Sequence, residues 1–335
     1  MIDPIVIAIL VALVVLSLGV AGMQVRRRRA LAAELPARTA RACRKLNAQS
    51  TFVPLDDVRL HVIVAGPAHG PLAVLLHGFP ECWYTWRTQI PRLVALGYRV
   101  VVPDQRGYGL SDKPDGLARY SFDVLVEDVR QLIHAFGRES ATLVGHDWGG
   151  AVAWKVAMDR PEVVTRLIIL DAPHPVAFAR ALKHDFAQVK RIWYMAVFQL
   201  PLLPDAFLAF SPRWTARFFF HDNAFQKDAF SADDLAFMAS NLAQRGAMTT
   251  MIDWYRAAVW HPPAHPDVVI DRSTLLVWAE DDVALGLGLT EGLSQWVPHM
   301  TRVLVPECGH WVQNEQPQIV GEAIDRFLVT ETERA

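Results

Sequence analysis

Cysteine is scarce in this 335-residue chain, and neither sign of charge is in large excess. Cys43, Cys82 and Cys308 are far apart and include no C-x-x-C pair. This number and spacing argue against a disulfide framework and against a thiolate metal site, so we expect reduced thiols and no metal. A formal net charge of -2, without zinc-finger or helix-turn-helix spacing, argues against a nucleic-acid-binding protein.

Charge is absent altogether from one long stretch near the start of the chain. Ile5–Met23 contains no charged side chain, and about 19 apolar residues can cross a bilayer as a helix. Arg26–Arg29 follow this stretch, whereas a cleaved signal peptide carries its positive charges before the apolar run. The sequence therefore predicts a transmembrane anchor over residues 1–24, with the rest of the chain on the cytoplasmic face. Residues 25–50 are predicted to form a basic, helical or partly ordered stalk.

The rest of the chain predicts an α/β fold. Most of its short apolar runs lack in–out alternation and are separated by helical segments, which indicates a mostly parallel sheet covered by helices on both faces. Residues 174–266 contain no strand-like run, so they are predicted to form a helical cap inserted between two parts of the core, residues 51–173 and 267–335. The predicted core elements are the strands Val58–Val64, Leu72–Leu76, Arg99–Val102, one beginning at Ala141, Leu167–Leu170, Thr274–Trp278 and Arg302–Val305, and the helix Phe122–Phe136.

A glycine-flanked aspartate follows the strand that begins at Ala141. The sequence GHDWG at 145–149 has the pattern small-x-nucleophile-x-small, in which a sharp strand-to-helix turn projects the middle side chain from the sheet edge. We expect the glycines to permit this turn through their conformational freedom. Asp147 stands where a lipase or esterase has serine, and a carboxylate is suited to attack carbon, displacing a halide or opening a strained ring.

Four motifs occur in a fixed order: HGFP at 77–80, DQRGYGLS at 104–111, GHDWGG at 145–150 and CGHW at 308–311. On these motifs, residues 52–330 resemble the epoxide hydrolase family of α/β-hydrolases. The apolar N-terminus resembles the membrane-anchored branch of that family. The resemblance implies an α/β-hydrolase fold and hydrolysis of a small lipophilic epoxide to a vicinal diol by water, without a metal or organic cofactor.

Two residues carry the expected covalent chemistry. Asp147 is the predicted nucleophile, which forms an alkyl-enzyme ester with the substrate. His310 follows the last predicted strand and should therefore lie at the same sheet edge as Asp147. Its imidazole, with an unperturbed pKa of about 6.5, would be largely neutral at pH 7 and could activate the water that hydrolyses the ester.

The acid that orients His310 should follow the strand Thr274–Trp278. Glu280, Asp281 and Asp282 compete for this role, and spacing alone does not separate Asp281 from Asp282. The family's Ala-Glu-x-Asp pattern selects Asp282. Asp171, after the preceding strand, is the alternative, since some relatives place the acid there.

The resemblance also assigns groups that would stabilise charge on oxygen. The backbone N–H groups of Phe79 and Trp148 would form an oxyanion hole during hydrolysis of the ester. The family uses two cap tyrosines to bind the epoxide oxygen, and Tyr194 and Tyr255 match those positions. Phenols suit this task because they donate hydrogen bonds without adding charge to an apolar pocket.

Two other functions remain open from the sequence. A haloalkane or haloacid dehalogenase would use the same Asp, His and Asp, with Trp148 holding the halide. A fluoroacetate-type enzyme would also have arginines after the nucleophile, and Trp148–Val152 contains none. The paired tyrosines favour an epoxide. A membrane-anchored binding protein without turnover would have lost a reactive residue, and all of them are present.

Overall fold

An eight-stranded sheet lies at the centre of the computed structural model, which describes residues 22–262 and 268–333. The strands are β1 (Gln49–Pro54), β2 (Arg59–Ala65), β3 (Leu72–Leu76), β4 (Arg99–Pro103), β5 (Ala141–His146), β6 (Val164–Leu170), β7 (Thr274–Ala279) and β8 (Met300–Val305). Their spatial order is β1-β2-β4-β3-β5-β6-β7-β8. The six strands from β4 to β8 in this order are parallel, whereas β1 and β2 form an antiparallel edge.

The helices fall into a core set and a set inserted between β6 and β7, which we call the cap. The core helices are α1 (22–33), α2 (Leu35–Leu46), α3 (Gln89–Ala95), α4 (Phe122–Ala135) and α5 (Trp148–Asp159). The cap helices are α6 (Pro175–His184), α7 (Phe186–Arg191), α8 (Trp193–Val197), α9 (Leu203–Phe210), α10 (Pro212–Arg217), α11 (Ala232–Leu242) and α12 (Ala247–Trp260). The core helices α13 (Val312–Glu315) and α14 (Pro317–Glu333) follow β8.

The mostly parallel sheet predicted from the sequence is confirmed. Every residue of β3, β5 and β7 is buried, as expected for strands covered on both faces. β6 begins at Val164 and β8 at Met300, earlier than the apolar runs predicted, because their first residues include exposed polar side chains. β1 was not predicted, since five of its six residues are exposed at the sheet edge.

The N-terminal segment lies partly outside the described residues. Residues 1–21, most of the predicted anchor, are among those not described, and the described part of the chain holds no helix long and apolar enough to span a bilayer. Most of the predicted stalk, residues 25–50, is helical and packs against the cap, while its last two residues begin β1. Arg28 donates hydrogen bonds to the carbonyl oxygens of Ala243 and Gln244, and the Gln244 amide donates to the Ala32 carbonyl at 2.8 Å.

The cap is tied to the core through α11 and α12. Thr250 Oγ1 on α12 donates to the Gly107 carbonyl at 2.6 Å, and Trp254 Nε1 donates to the Arg106 carbonyl at 3.2 Å. Asn241 on α11 donates to the Glu81 carbonyl at 2.9 Å. These bonds fix the two helices over the loops that follow β3 and β4.

The strand order creates a crevice between β3 and β5. The chain leaves β3 for β4 on one side and then crosses to β5 on the other side, so the loops after β3 and β5 diverge. In open parallel sheets such a switch point, at the carboxyl ends of the strands, is where ligands bind. The loop after β3 begins at His77 and the turn after β5 holds Asp147.

The turn at Asp147 corrects one expectation about its glycines. Asp147 itself has φ of 49° and ψ of -121°, so the aspartate adopts the unusual conformation. Gly145 and Gly149 do not have positive φ. They are required for space: a Cβ at Gly145 would lie 2.5 Å from the Gly149 oxygen, and a Cβ at Gly149 would lie 2.1 Å from the Leu76 oxygen.

We predict that Gly149→Ala lowers the free energy of unfolding by at least about 2 kcal/mol, because the added methyl overlaps backbone that cannot move aside. Gly288→Ala is the matched control, since its nearest neighbour would be 4.0 Å from the new Cβ. This control should change stability by less than about 0.5 kcal/mol. Urea denaturation of both variants measures the difference, and equal losses would contradict the packing argument.

Candidate active site

A cavity of about 500 Å³ lies between the carboxyl ends of the strands and the cap. Asp147 and His310 line it from the core, with Phe79 beside them, and Tyr194 and Tyr255 line it from the cap. The structure therefore brings together in one cavity the residues predicted to act on the substrate. The remaining lining side chains are mostly apolar: Trp193, Val197, Phe198, Leu203, Pro204, Phe207, Leu208, Trp214, Phe218, Phe219, Val283, Ala284 and Trp311, with Arg191 and Asn223.

Backbone and imidazole groups hold the Asp147 carboxylate in place. The Phe79 N–H donates to Asp147 Oδ1 at 2.8 Å, and His310 Nε2 lies 3.6 Å from Oδ2. Gly78 makes this approach possible, because a Cβ there would lie 2.5 Å from both Cβ and Oδ1 of Asp147. Trp148 is the first residue of α5, and its ring packs edge-on against Tyr255 at 4.8 Å between centroids.

Asp282 is the carboxylate bonded to His310. His310 Nδ1 lies 2.7 Å from Asp282 Oδ2, and the other carboxylate oxygen accepts from the Ala284 and Leu285 N–H groups at 2.7 and 2.9 Å. Asp282 is buried, whereas Asp281 is exposed. The geometry therefore shows that Asp282, and not Asp281, is the aspartate bonded to His310, a choice that sequence spacing alone did not make.

Asp171 lies near this pair but is bonded elsewhere. Its Oδ1 accepts from the Ala279 N–H at 2.7 Å, and its Oδ2 has no hydrogen-bond partner among the described residues. Burial, reinforced by the nearby charge of Asp282, raises the pKa of Asp171 well above its usual range. A carboxyl held in its neutral form does not provide the negative charge that stabilises an imidazolium.

The pKa values of Asp147 and His310 are shifted in opposite directions. Burial alone would raise the pKa of Asp147, but the hydrogen bond and charge of His310 lower it. Burial alone would lower the pKa of His310, but Asp282 and Asp147 together raise it well above the usual value. The two carboxylates thus favour the protonated form of His310, whereas its unperturbed pKa predicted a largely neutral imidazole. Loss of the charge on Asp147 through esterification removes one of the groups that raise it.

The cap tyrosines come from different helices and meet over Asp147. Tyr255 on α12 is buried and contacts the rings of Phe79 and Phe198 edge-on, while Tyr194 on α8 is only partly buried. The centroids of the two phenol rings are 6.1 Å apart. Burial raises the pKa of both phenols, which favours their neutral, hydrogen-bond-donating form.

A buried ion pair beneath the site was not predicted. Glu81 Oε2 lies 2.8 Å from His146 Nδ1, and His146 Nε2 lies 2.8 Å from the carbonyl oxygen of His310. Both ring nitrogens therefore lie within hydrogen-bond distance of an oxygen. Glu81 Oε2 also accepts from the Gly78 N–H at 2.9 Å. Glu81 directly follows the HGFP motif, and His146 lies within the GHDWGG motif. These positions were the signal in the sequence that could have identified the pair.

This pair joins the two loops that carry the reacting groups. Burial opposes ionisation of Glu81, but the charge and hydrogen bond of His146 lower its pKa. The His146 charge also lowers the pKa of Asp147. The pair therefore fixes the backbone next to the Phe79 amide and that of His310, while adding positive charge behind the carboxylate.

Sequence relatives of the chain are found among α/β-hydrolases. The family described as alpha/beta hydrolase fold matches residues 71–317. AB hydrolase superfamily protein YfhM of Bacillus subtilis is 39% identical, covering 83% of this chain and 96% of that protein. Epoxide hydrolase 3 of Xenopus tropicalis is 35% identical, covering 88% of this chain and 82% of that protein.

Solved structures show the same similarity. The structure of a Bacillus megaterium epoxide hydrolase with an inhibitor matches with a TM-score of 0.77 at 32% identity, covering 83% of this chain and 99% of that one. A mutant of a Bacillus megaterium epoxide hydrolase, complexed with a naphthyloxy-propane-1,2-diol as its product, matches with a TM-score of 0.76 at 31% identity. That match also covers 83% of this chain and 99% of the other.

We predict that Asp147→Asn lowers the pKa of His310, because the substitution removes one of two negative charges that stabilise the imidazolium. Nitrogen NMR of histidine-labelled protein measures this titration directly. Glu139→Gln, which removes an exposed carboxylate in the loop before β5, is the control and should leave the titration of His310 unchanged. An unchanged pKa in Asp147→Asn would show that Asp147 does not hold the proton on His310.

Proposed function

Because the chain belongs to the epoxide hydrolase family of α/β-hydrolases, we propose that it hydrolyses a lipophilic epoxide to a vicinal diol. The observation that carries the proposal is the arrangement in the cavity. The Asp147 carboxylate and an imidazole–carboxylate pair lie on the core side, and two phenols lie on the cap side. An epoxide between them would have its carbon beside Asp147 and its oxygen beside the phenols.

The first step is alkylation of Asp147. The Phe79 amide holds Oδ1, which leaves Oδ2 to attack an epoxide carbon and break the carbon–oxygen bond of the ring. The ring oxygen develops negative charge and receives a hydrogen bond and then a proton from the phenols of Tyr194 and Tyr255. The product is a hydroxyalkyl ester of Asp147.

The second step is hydrolysis of that ester. Once Asp147 is esterified, His310 loses the charge of one neighbouring carboxylate, so its pKa falls. The proton that it releases restores the tyrosine phenol that lost one in the first step, and the neutral imidazole can then act as a base. His310, oriented by Asp282, takes a proton from water, and the hydroxide oxygen adds to Cγ of Asp147. The oxygen that becomes negative lies at the Phe79 and Trp148 N–H groups. Collapse of this intermediate breaks the ester carbon–oxygen bond, and the proton of the added hydroxyl passes to the departing oxygen, which releases the diol and regenerates the carboxylate.

The cavity supports an apolar substrate of moderate size. Most of its lining is aromatic or aliphatic, and its volume is about 500 Å³. The related Bacillus megaterium mutant holds a naphthyloxy-propanediol as product. A naphthyl glycidyl ether is therefore a suitable first probe for this chain.

We predict that His310→Ala stops after the first step, because no base remains to activate water. Quenched protein exposed to naphthyl glycidyl ether should show a peptide containing Asp147 that has gained the whole mass of the epoxide, measured by mass spectrometry. His310→Ala combined with Asp147→Asn is the control and should show no adduct. An adduct formed only from a matched haloalkane, with loss of halogen, would instead identify a dehalogenase. No adduct from either reagent would favour a binding protein without turnover.

We predict that Tyr255→Phe and Tyr194→Phe each slow the alkylation step about 10-fold or more, because the developing alkoxide loses a proton donor. The rate of adduct formation in the His310→Ala background measures this step alone. Tyr108→Phe is the matched control, since its buried hydroxyl has no partner among the described residues and does not line the cavity. If alkylation were equally fast in all three variants, the phenols would have no role in ring opening.

We also propose that the apolar stretch Ile5–Met23 anchors the chain in a membrane, with the catalytic domain on the cytoplasmic face. The absence of charge in this stretch and the arginines after it support both parts of the proposal.

Protease added to sealed vesicles tests this orientation. It should digest the domain when the cytoplasmic face is outward and leave it intact when that face is inward. Digestion in the second case would overturn the orientation, and release of the intact chain by alkaline carbonate would overturn the anchor.

A further inference from the structure

The cap presents an apolar surface to solvent between α8 and the end of α9. The segment Trp193–Phe210 contains one charged residue, Asp205, which is buried and paired with Arg256 at 2.6 Å. Large apolar side chains of this segment are exposed, and we call them the apolar cap face: Trp193, Val197, Leu200, Leu202, Leu203, Phe207 and Phe210. Surfaces of this kind mark a protein or membrane contact, because single exposed apolar residues are normally scattered.

The apolar cap face surrounds part of the cavity that holds Asp147. Trp193, Leu203 and Phe207 are exposed and also line that cavity, so the same side chains form its rim. A substrate arriving across this face would pass from one apolar environment into another.

Exposed basic residues lie on both sides of the apolar cap face in the sequence. Lys190 and Arg191 precede it, and Arg213 and Arg217 follow it. Aromatic and aliphatic side chains flanked by Lys and Arg are the composition of segments that lie in the interface of an anionic bilayer.

The N-terminal helix reaches the same part of the cap. Gln24 and Arg27 of α1 line one groove together with Phe210 and Arg213. The apolar stretch Ile5–Met23, long enough to cross a bilayer, therefore ends beside the apolar cap face. A membrane anchor that ends there holds this face close to the lipid surface.

We propose that the apolar cap face docks on an anionic lipid bilayer, so that the mouth of the cavity opens towards the lipid phase. The side chains from Trp193 to Phe210 enter the headgroup and upper acyl region, while the flanking basic residues contact lipid phosphates. This placement rests on the anchor proposed above, and it would deliver lipophilic epoxides directly from the membrane.

Lipid-depth measurements on the full chain test the docking without using activity. Leu202→Cys carries an environment-sensitive fluorophore at a position that is 78% exposed and outside the cavity lining. His69→Cys carries the same label at an exposed site before β3, at the end of the sheet opposite the cap. The protein is reconstituted into vesicles of phosphatidylcholine with phosphatidylserine, with or without brominated acyl chains. We expect brominated lipid to quench the Leu202 label at least about 2-fold more than the His69 label.

The other outcomes overturn the docking in distinguishable ways. If the protein floats with the vesicles and neither label is quenched, the anchor holds but the cap does not touch lipid. If both labels are quenched equally, the domain has no fixed orientation. A blue-shifted Leu202 label that bromine does not quench would show that a second copy covers the face. Failure to float with vesicles would overturn the anchor as well.

Substrate delivery has its own matched pair of variants. Leu200 is 48% exposed in the apolar cap face, and Val329 is 47% exposed on α14. Leu200→Glu should lower turnover of an epoxide dissolved in the vesicles about 3-fold or more, because a buried charge opposes docking. It should leave turnover of a small water-soluble epoxide unchanged. Val329→Glu should change neither rate, and equal effects of the two variants would overturn delivery through this face.

Discussion

The proposed chemistry depends on one imidazole held between two carboxylates. His310 lies 2.7 Å from Asp282 and 3.6 Å from Asp147, and the two negative charges raise its pKa against the effect of burial. Both proposed steps therefore depend on the protonation state of this one imidazole. In the proposed mechanism, esterification of Asp147 removes a charge from the contact, which lowers the pKa of His310 and lets it act as a base. The order of the two proposed steps follows from that change.

The fold supplies the rigidity that such close contacts need. Asp147 turns with positive φ between glycines that have no room for a side chain, and Gly78 allows the Phe79 amide to approach the carboxylate. The Glu81–His146 pair then links the loop after β3 to the backbone of His310. Three loops from three parallel strands are therefore fixed to one another before any substrate enters.

The sequence predicted features that arise from local patterns. Buried apolar runs identified β3, β5 and β7, and the GHDWG motif placed Asp147 at a sheet edge. Spacing did not separate Asp281 from Asp282, because only the three-dimensional loop decides which side chain turns inward. β1 was missed because its pairing with β2 leaves its side chains exposed. The Glu81–His146 contact and the raised pKa of His310 arise from residues far apart in the chain, and no local pattern encodes them.

The two cap phenols differ in how firmly the protein holds them. Tyr255 belongs to α12, which is bonded to the core at Gly107 and Arg106. Tyr194 belongs to α8, a five-residue helix without a buried residue. Tyr255 therefore has a fixed position above Asp147, while Tyr194 can move to fit the size of the molecule bound beneath it. We therefore expect sequence changes in this short helix to alter the range of epoxides that the enzyme accepts without disturbing the nucleophile.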